Sequence, residues 1–200
     1  FLCIVMNNSN SEFFSDDIKS CLETLRQGGL IVYPTDTIWG IGCDATNDAA
    51  VEKIFKLKNR SELKNLITLV CDEAMLNRCV QHVPAVAWDI IEYSEKPVTI
   101  IYEKISRISE KAIADDGTAA IRLVKDPFCK MLIHKFGKPI ISTSANLSNM
   151  PSPAVFNDIE DSILTGVDYV VKFRQQETAK HTPSYIIRIL NNGEVKVIRK

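Results

Sequence analysis

Leu30-Ile31-Val32-Tyr33-Pro34-Thr35-Asp36-Thr37-Ile38-Trp39-Gly40-Ile41-Gly42 joins an apolar run to a polar, turn-forming decapeptide. The run 30–32 has the character of a buried strand. The proline, two threonine hydroxyls, carboxylate and glycines after it build a lip of donors and acceptors at the strand's end. Loops held by such a scaffold are where ligands bind. Upstream, Ser15-Asp16-Asp17 followed by Ile18, Cys21, Leu22 and Leu25 and closed by Gly28-Gly29 predicts a capped amphipathic helix feeding into that strand. Downstream, 48–58 carries helical spacing through Ala50, Val51, Ile54 and Phe55, and 66–70 reads as a buried strand. Pro84 opens a predicted helix through Trp88 and Ile91. Asp126-Pro127 starts another through Met131, Leu132 and Phe136, with Gly137 as its stop. Strands are predicted at 98–102, 119–124, 139–142, 169–173 and 185–190, and Asn191-Asn192-Gly193 folds the last into a hairpin with 195–199. Helices and strands alternate first and a hairpin comes last. That order predicts an α/β (mixed α+β) architecture, a twisted mixed sheet with packed helices rather than a purely parallel, doubly wound one.

The 200 residues, 46% hydrophobic, suffice for one sizeable core, so a single domain over 1–200 is expected. Lys plus Arg total 24 against 25 Asp plus Glu, a net charge of -1 that gives no bulk attraction to nucleic acid or to an anionic membrane; either contact needs a local patch. Cys3, Cys21, Cys43, Cys71, Cys79 and Cys129 form no C-x-x-C pair, which argues against a zinc site or a thioredoxin-type motif and for small core residues in a reducing compartment. His82, His134 and His181 are far apart and read as structural, so no protein metal site is expected. The apolar run 1–6 is too short for a signal-peptide core or a bilayer span; a soluble, cytoplasmic protein without membrane contact is expected.

Lys53, Lys56, Lys58, Arg60 and Lys64 form a basic run, and on a helix that reached far enough Lys53, Lys56 and Arg60 would share a face. The run reads either as a solvated helix face or as a clamp for a polyphosphate such as ATP, whose cleavage needs cations on its phosphates. No G-x-x-x-x-G-K-[ST] loop occurs, so phosphates would be held by side chains. Ser142-Thr143-Ser144-Ala145-Asn146 follows the apolar run 139–141, its hydroxyls placed either to cap the next turn or to bind a nucleotide. After Gly117-Thr118, Arg122 lies on a strand among apolar residues and needs an anion, supplied by a bound carboxylate or by Asp36.

Taken together, these residues resemble the YrdC/YciO family, whose members include the threonylcarbamoyl-AMP synthases of tRNA modification. The resemblance runs from about Gly28 to Arg199. It rests on Tyr33-Pro34-Thr35-Asp36-Thr37 with Trp39-Gly40-Ile41-Gly42, on Lys58-Asn59-Arg60, on Gly117-Thr118 with Arg122, and on Thr143-Ser144-Ala145-Asn146 with Ser148 and Pro151-Ser152. It implies an open, twisted sheet with a basic cavity, and a reaction joining L-threonine, bicarbonate and ATP into threonylcarbamoyladenylate with release of pyrophosphate, helped by Mg2+. It further implies Thr35, Thr37, Arg122, Ser142 and Ser184 as threonine-binding, and Lys58, Arg60, Lys64, Thr118, Ser144, Asn146, Ser152 and Arg199 as ATP-binding, with Lys58 and Arg60 acting on the phosphates. A histidine that the resemblance would place on the strand after the basic run is Leu69 here. Implied partners are tRNA or double-stranded RNA and a downstream threonylcarbamoyl-transferase complex. Two alternatives stay open: a non-catalytic, YciO-type module that binds double-stranded RNA or tRNA, and a nucleotidyltransferase for another small acid.

Overall fold

In the computed structural model, which describes residues 8–59, 66–190 and 193–200, the chain runs as β1 (Ile31–Tyr33), turns through the lip, and returns antiparallel as β2 (Gly40–Asp44), with Val32 opposite Ile41. The reading of 33–42 as polar loop throughout is corrected here, because Gly40-Ile41-Gly42 are strand. Glycines depress strand propensity, yet these two are required by packing. A Cβ on Gly42 would stand 2.6 Å from the Tyr33 ring, and one on Gly40 2.9 Å from the Ser142 hydroxyl.

The remaining strands are β3 (Ile67–Val70), β4 (Val98–Tyr102), β5 (Ala119–Leu123), β6 (Ile140–Ser144), β7 (Tyr169–Val170), β8 (Tyr185–Ile189) and β9 (Val195–Arg199). All described strands join one sheet in the order β7-β1-β2-β6-β3-β5-β4-β8-β9. Pairs β1–β7, β3–β5 and β4–β8 are parallel and the rest antiparallel, the mixed sheet that the element order predicts. The predicted strand at 169–173 narrows to two residues. Asn191 and Asn192 lie outside the described residues, while Gly193 adopts φ 82° between the paired β8 and β9.

Helices are α1 (Asn8–Arg26), α2 (Asp48–Leu57), α3 (Glu73–Cys79), α4 (Ala85–Tyr93), α5 (Pro127–Phe136) and α6 (Asp161–Thr165). α1 starts well before Ser15, so Asp17 is not a cap. It is buried and accepts hydrogen bonds from the Tyr169 hydroxyl at 2.6 Å and from the backbone N–H of Phe173 at 2.7 Å, tying the helix to the chain after β7. α5 begins and ends as expected: Asp126 accepts from the Cys129 N–H, and Gly137 is left-handed at φ 77°. α2 stops at Leu57; Lys53 bonds the Gly28 carbonyl and Lys56 pairs with Glu52 one turn back, and the expected shared face with Arg60 lies outside the described residues.

Phe14, Phe128 and Phe173 pack together at centroid distances of 5.2–5.6 Å and join α1 and α5 to the chain after β7. Cys21, Cys43, Cys71, Cys79 and Cys129 are buried and unpaired, and Cys3 lies outside the described residues. Among the described residues no helix is long and apolar enough to cross a membrane.

Candidate functional site

Sheet register brings separate parts of the chain to one face. Ser142 stands opposite Gly42 on one side and Ile67 on the other, Ile67 is opposite Ala120, and Arg122 follows Ala120 by the two residues that return a strand to the same face. Over them, among the described residues, lies a polar cavity of about 110 Å³, bordered by the lip threonines Thr35 and Thr37, by Ser142 and Ser144, by Arg122, and by Ser152, Ser184 and Arg199. Eight of the residues singled out in the sequence therefore meet at one place.

Arg122 is 3% exposed. Its Nη1 donates to Thr37 Oγ1 at 3.1 Å, its Nη2 lies 3.2 Å from Asp36 Oδ1, and its Nε is buried without a hydrogen-bond partner. The Asp36 pair forms, but as a charge contact without hydrogen-bond alignment, since that carboxylate oxygen also lacks a hydrogen bond. A guanidinium held so incompletely keeps capacity for a second anion.

The lip is braced from inside. Thr35 Oγ1 donates to the Ile38 carbonyl at 2.8 Å, so across its 2.8 Å contact with Thr37 Oγ1 the proton comes from Thr37. Thr35 Oγ1 also accepts the Thr37 N–H. Protons thus run from Arg122 through Thr37 and Thr35 to a carbonyl, a chain in which each bond polarises the next. Thr35 is saturated, whereas Thr37 keeps one acceptor lone pair. On the opposite wall Arg199 donates to the Ser184 carbonyl through Nε and Nη2, and the Ser184 hydroxyl shares a hydrogen bond with Thr99. Burial and then the neighbouring Arg122 lower the proton affinity of Arg199, and among the described residues it pairs with no carboxylate. Two guanidiniums facing one small polar space call for an anionic occupant, and the remaining lone pair of Thr37 suits a donor on the same molecule.

Lys58, Thr118 and Asn146 do not line the cavity. Lys58 is buried and its Nζ donates to the Ser144 carbonyl, bracing the loop from behind. Thr118 bonds Asp116 at 2.6 Å. Asn146 donates to the carbonyls of Leu147 and Met150 and leaves its Oδ1 buried without a hydrogen-bond partner. Arg60 and Lys64 lie outside the described residues. Leu69, opposite Arg122, is fully buried in the core. Ile67, Gly40 and Pro183 also border the cavity; strand alternation on β3 signals the first, and nothing local signals the last. Elsewhere, donor atoms of Cys71, Asp72 and His134 lie within 4.8 Å of one another, but the carboxylate caps α3 and accepts from the thiol.

A profile of the Sua5/yciO/yrdC family, described as telomere recombination, matches residues 23–200. A threonylcarbamoyl-AMP synthase of Saccharophagus degradans is 38% identical over 130 residues, 64% of this chain and 68% of that protein. P. abyssi Sua5 complexed with L-threonine superposes with a TM-score of 0.80 at 23% identity, covering 91% of this chain and 53% of Sua5, so the chain spans about half the length of that protein. E. coli YciO superposes with a TM-score of 0.78 at 23% identity over 92% of this chain and 88% of its own. With the profile matching from the end of α1 through the last strand and the fold shared with these neighbours, the chain belongs to the Sua5/YciO/YrdC family.

Proposed function

We propose that the chain is an L-threonylcarbamoyladenylate synthase, joining L-threonine, bicarbonate and ATP and releasing pyrophosphate and water. The observation that carries this reading is the buried, incompletely satisfied Arg122 beside the braced threonine lip, in a cavity sized for a small polar molecule. The substrate carboxylate would meet Arg122, its amino group the open lone pair of Thr37, and its hydroxyl the Ser142 or Ser184 side of the wall. Such a site rejects valine, which leaves polar groups unpaired, far better than serine, which lacks only a methyl.

The amine, once deprotonated, adds to the carbon of bicarbonate or CO2; loss of water in the bicarbonate case leaves a carbamate. A carbamate oxygen then attacks the α-phosphorus of ATP and the bond to the β-phosphate oxygen breaks, so pyrophosphate carries away the electron pair. No protein nucleophile is needed; positioning and charge stabilisation are the protein's work. Ser144, Ser152 and Arg199 would contact the nucleotide, Arg60 and Lys64 would stabilise the transferring phosphate, and Lys58, through its bond to the Ser144 carbonyl, would act on it by holding the loop that Thr118 and Asn146 also shape. Among the described residues no carboxylate lines the cavity, so Mg2+ fits as a companion of the ATP phosphates, entering with substrate. One domain over 1–200, in the cytoplasm, would serve the whole reaction, and a separate transferase complex would pass the threonylcarbamoyl group to tRNA.

The test is pyrophosphate release by purified protein with ATP, magnesium and bicarbonate, with and without L-threonine, together with the product mass. Threonine-dependent release of the adenylate is expected. Leu69 on the Arg122 face favours a second reading, a YciO-type module that binds double-stranded RNA or tRNA without turnover. Folded protein that makes no pyrophosphate but binds RNA in a salt-dependent manner would select it.

A further inference from the structure

Behind the lip, outside the cavity, Arg174 occupies a position that neither composition nor motif singles out. Its backbone is left-handed at φ 69°, a conformation that a non-glycine residue keeps only where its surroundings impose it. The surroundings here are specific. Just before it, the N–H of Val171 bonds Val32, and those of Lys172 and Phe173 bond buried Asp17, so the chain arrives fixed. The Arg174 side chain, 14% exposed, then reaches back across the molecule: Nη1 donates to the carbonyl of Thr35 at 3.3 Å and to Asp126 Oδ2 at 3.0 Å, while Nε bonds Glu177 at 2.8 Å. Asp126 is itself pinned as the cap of α5, accepting the Cys129 N–H at 2.9 Å. One guanidinium therefore connects Thr35, the last hydroxyl of the chain, to a largely buried carboxylate at a helix start, and the same strand-to-strand segment continues to Pro183 and Ser184 on the cavity wall.

We propose that Arg174 is a positioning residue for the threonine subsite, holding the Thr35 carbonyl so that the Thr35 and Thr37 hydroxyls and Arg122 keep their relative placement before substrate arrives. The identity of the ligand rests on the synthase reading; the positioning role does not. Without Arg174, the Thr35 carbonyl loses its side-chain donor and the largely buried Asp126 loses its cationic partner, so the lip gains freedom that binding must then remove. A purely structural residue would lower stability and affect both substrates alike; a strut on the lip affects threonine.

The test has two arms on the full chain. Hydrogen–deuterium exchange of the unliganded protein reads the Thr37 amide, which donates to Thr35 Oγ1. Arg174→Ala should exchange there about tenfold faster, Arg174→Lys should recover part of the protection, and Glu177→Gln, which touches only the outer Nε, should match the wild type. In steady-state pyrophosphate release, Arg174→Ala should raise the KM for threonine about tenfold, leaving the KM for ATP and kcat near wild type. Unchanged exchange at Thr37, an unchanged threonine KM, or parallel rises in both KM values would each overturn the proposal. Should Arg174→Ala fail to fold, Arg174→Lys decides it through the same two readouts, intermediate values supporting it and wild-type values overturning it. Wild-type protein that releases no pyrophosphate would remove the synthase reading, and the exchange arm would still decide the strut.

Discussion

Arg122, Thr37 and Thr35 act as one unit because each hydroxyl has a single proton and that proton is committed. Thr37 links the other two: it accepts from Arg122 Nη1 and donates to Thr35. Thr37→Val keeps the shape and deletes both bonds, leaving a buried guanidinium N–H without an acceptor. The expected cost is about 1–3 kcal/mol of folding stability, read by urea denaturation, with threonine-dependent turnover reduced by more than tenfold. Thr37→Ser preserves the hydroxyl and should stay within about 0.5 kcal/mol of wild type. Equal losses in the two variants would show that the β-branched methyl, and not the proton chain, is what the position requires.

At the scale of elements, what could be read in the sequence divides by whether the signal was local. Helix α5 was legible at both ends because Asp126-Pro127 and Gly137 act on their own neighbours, and the strands 98–102 and 119–124 were legible from apolar runs. α1 was misread at its start because Ser15-Asp16-Asp17 imitates a cap, whereas Asp17 answers to Tyr169 and Phe173 far along the chain. β2 was hidden by two glycines whose necessity appears only when Tyr33 and Ser142 are folded against them. The cavity was legible where single motifs contributed hydroxyls and Arg122; Arg174 carried no local mark. α3, absent from the sequence reading, depends on a cap: Asp72 accepts the Met75 N–H at 2.7 Å, and that bond holds the carboxyl below its ordinary range. A folded-state value below the unfolded one gives stability that is present above the unfolded value, about pH 4, and is lost as pH falls through the folded value. Asp72→Ala should therefore cost about 1 kcal/mol near neutrality, with the gap to wild type narrowing as denaturation is measured at progressively lower pH below about 4. A gap independent of pH would assign the loss to helix propensity instead of to the charged cap.

For the whole molecule, the cavity matters because of where its walls lie in the sheet. The lip joins β1 to β2, Ser142 is on β6, Arg122 on β5, Ser184 precedes β8 and Arg199 ends β9, so the site draws on both halves of the strand order. A ligand that contacts all of these binds only when the sheet is complete, and binding then adds to global stability by mass action. At a threonine concentration about a hundredfold above its dissociation constant the gain is roughly 2.7 kcal/mol. For a chain of 200 residues that corresponds to a rise of roughly 5–10 °C in Tm. Valine at the same concentration should give little shift and serine an intermediate one, because only serine supplies the hydroxyl. Arg122→Ala should abolish the threonine shift whatever its own Tm, since the carboxylate then has no buried partner. A threonine shift that survives in Arg122→Ala would place the amino acid elsewhere on the molecule, and equal shifts with valine would mean that the hydroxyls of this cavity do not read the ligand.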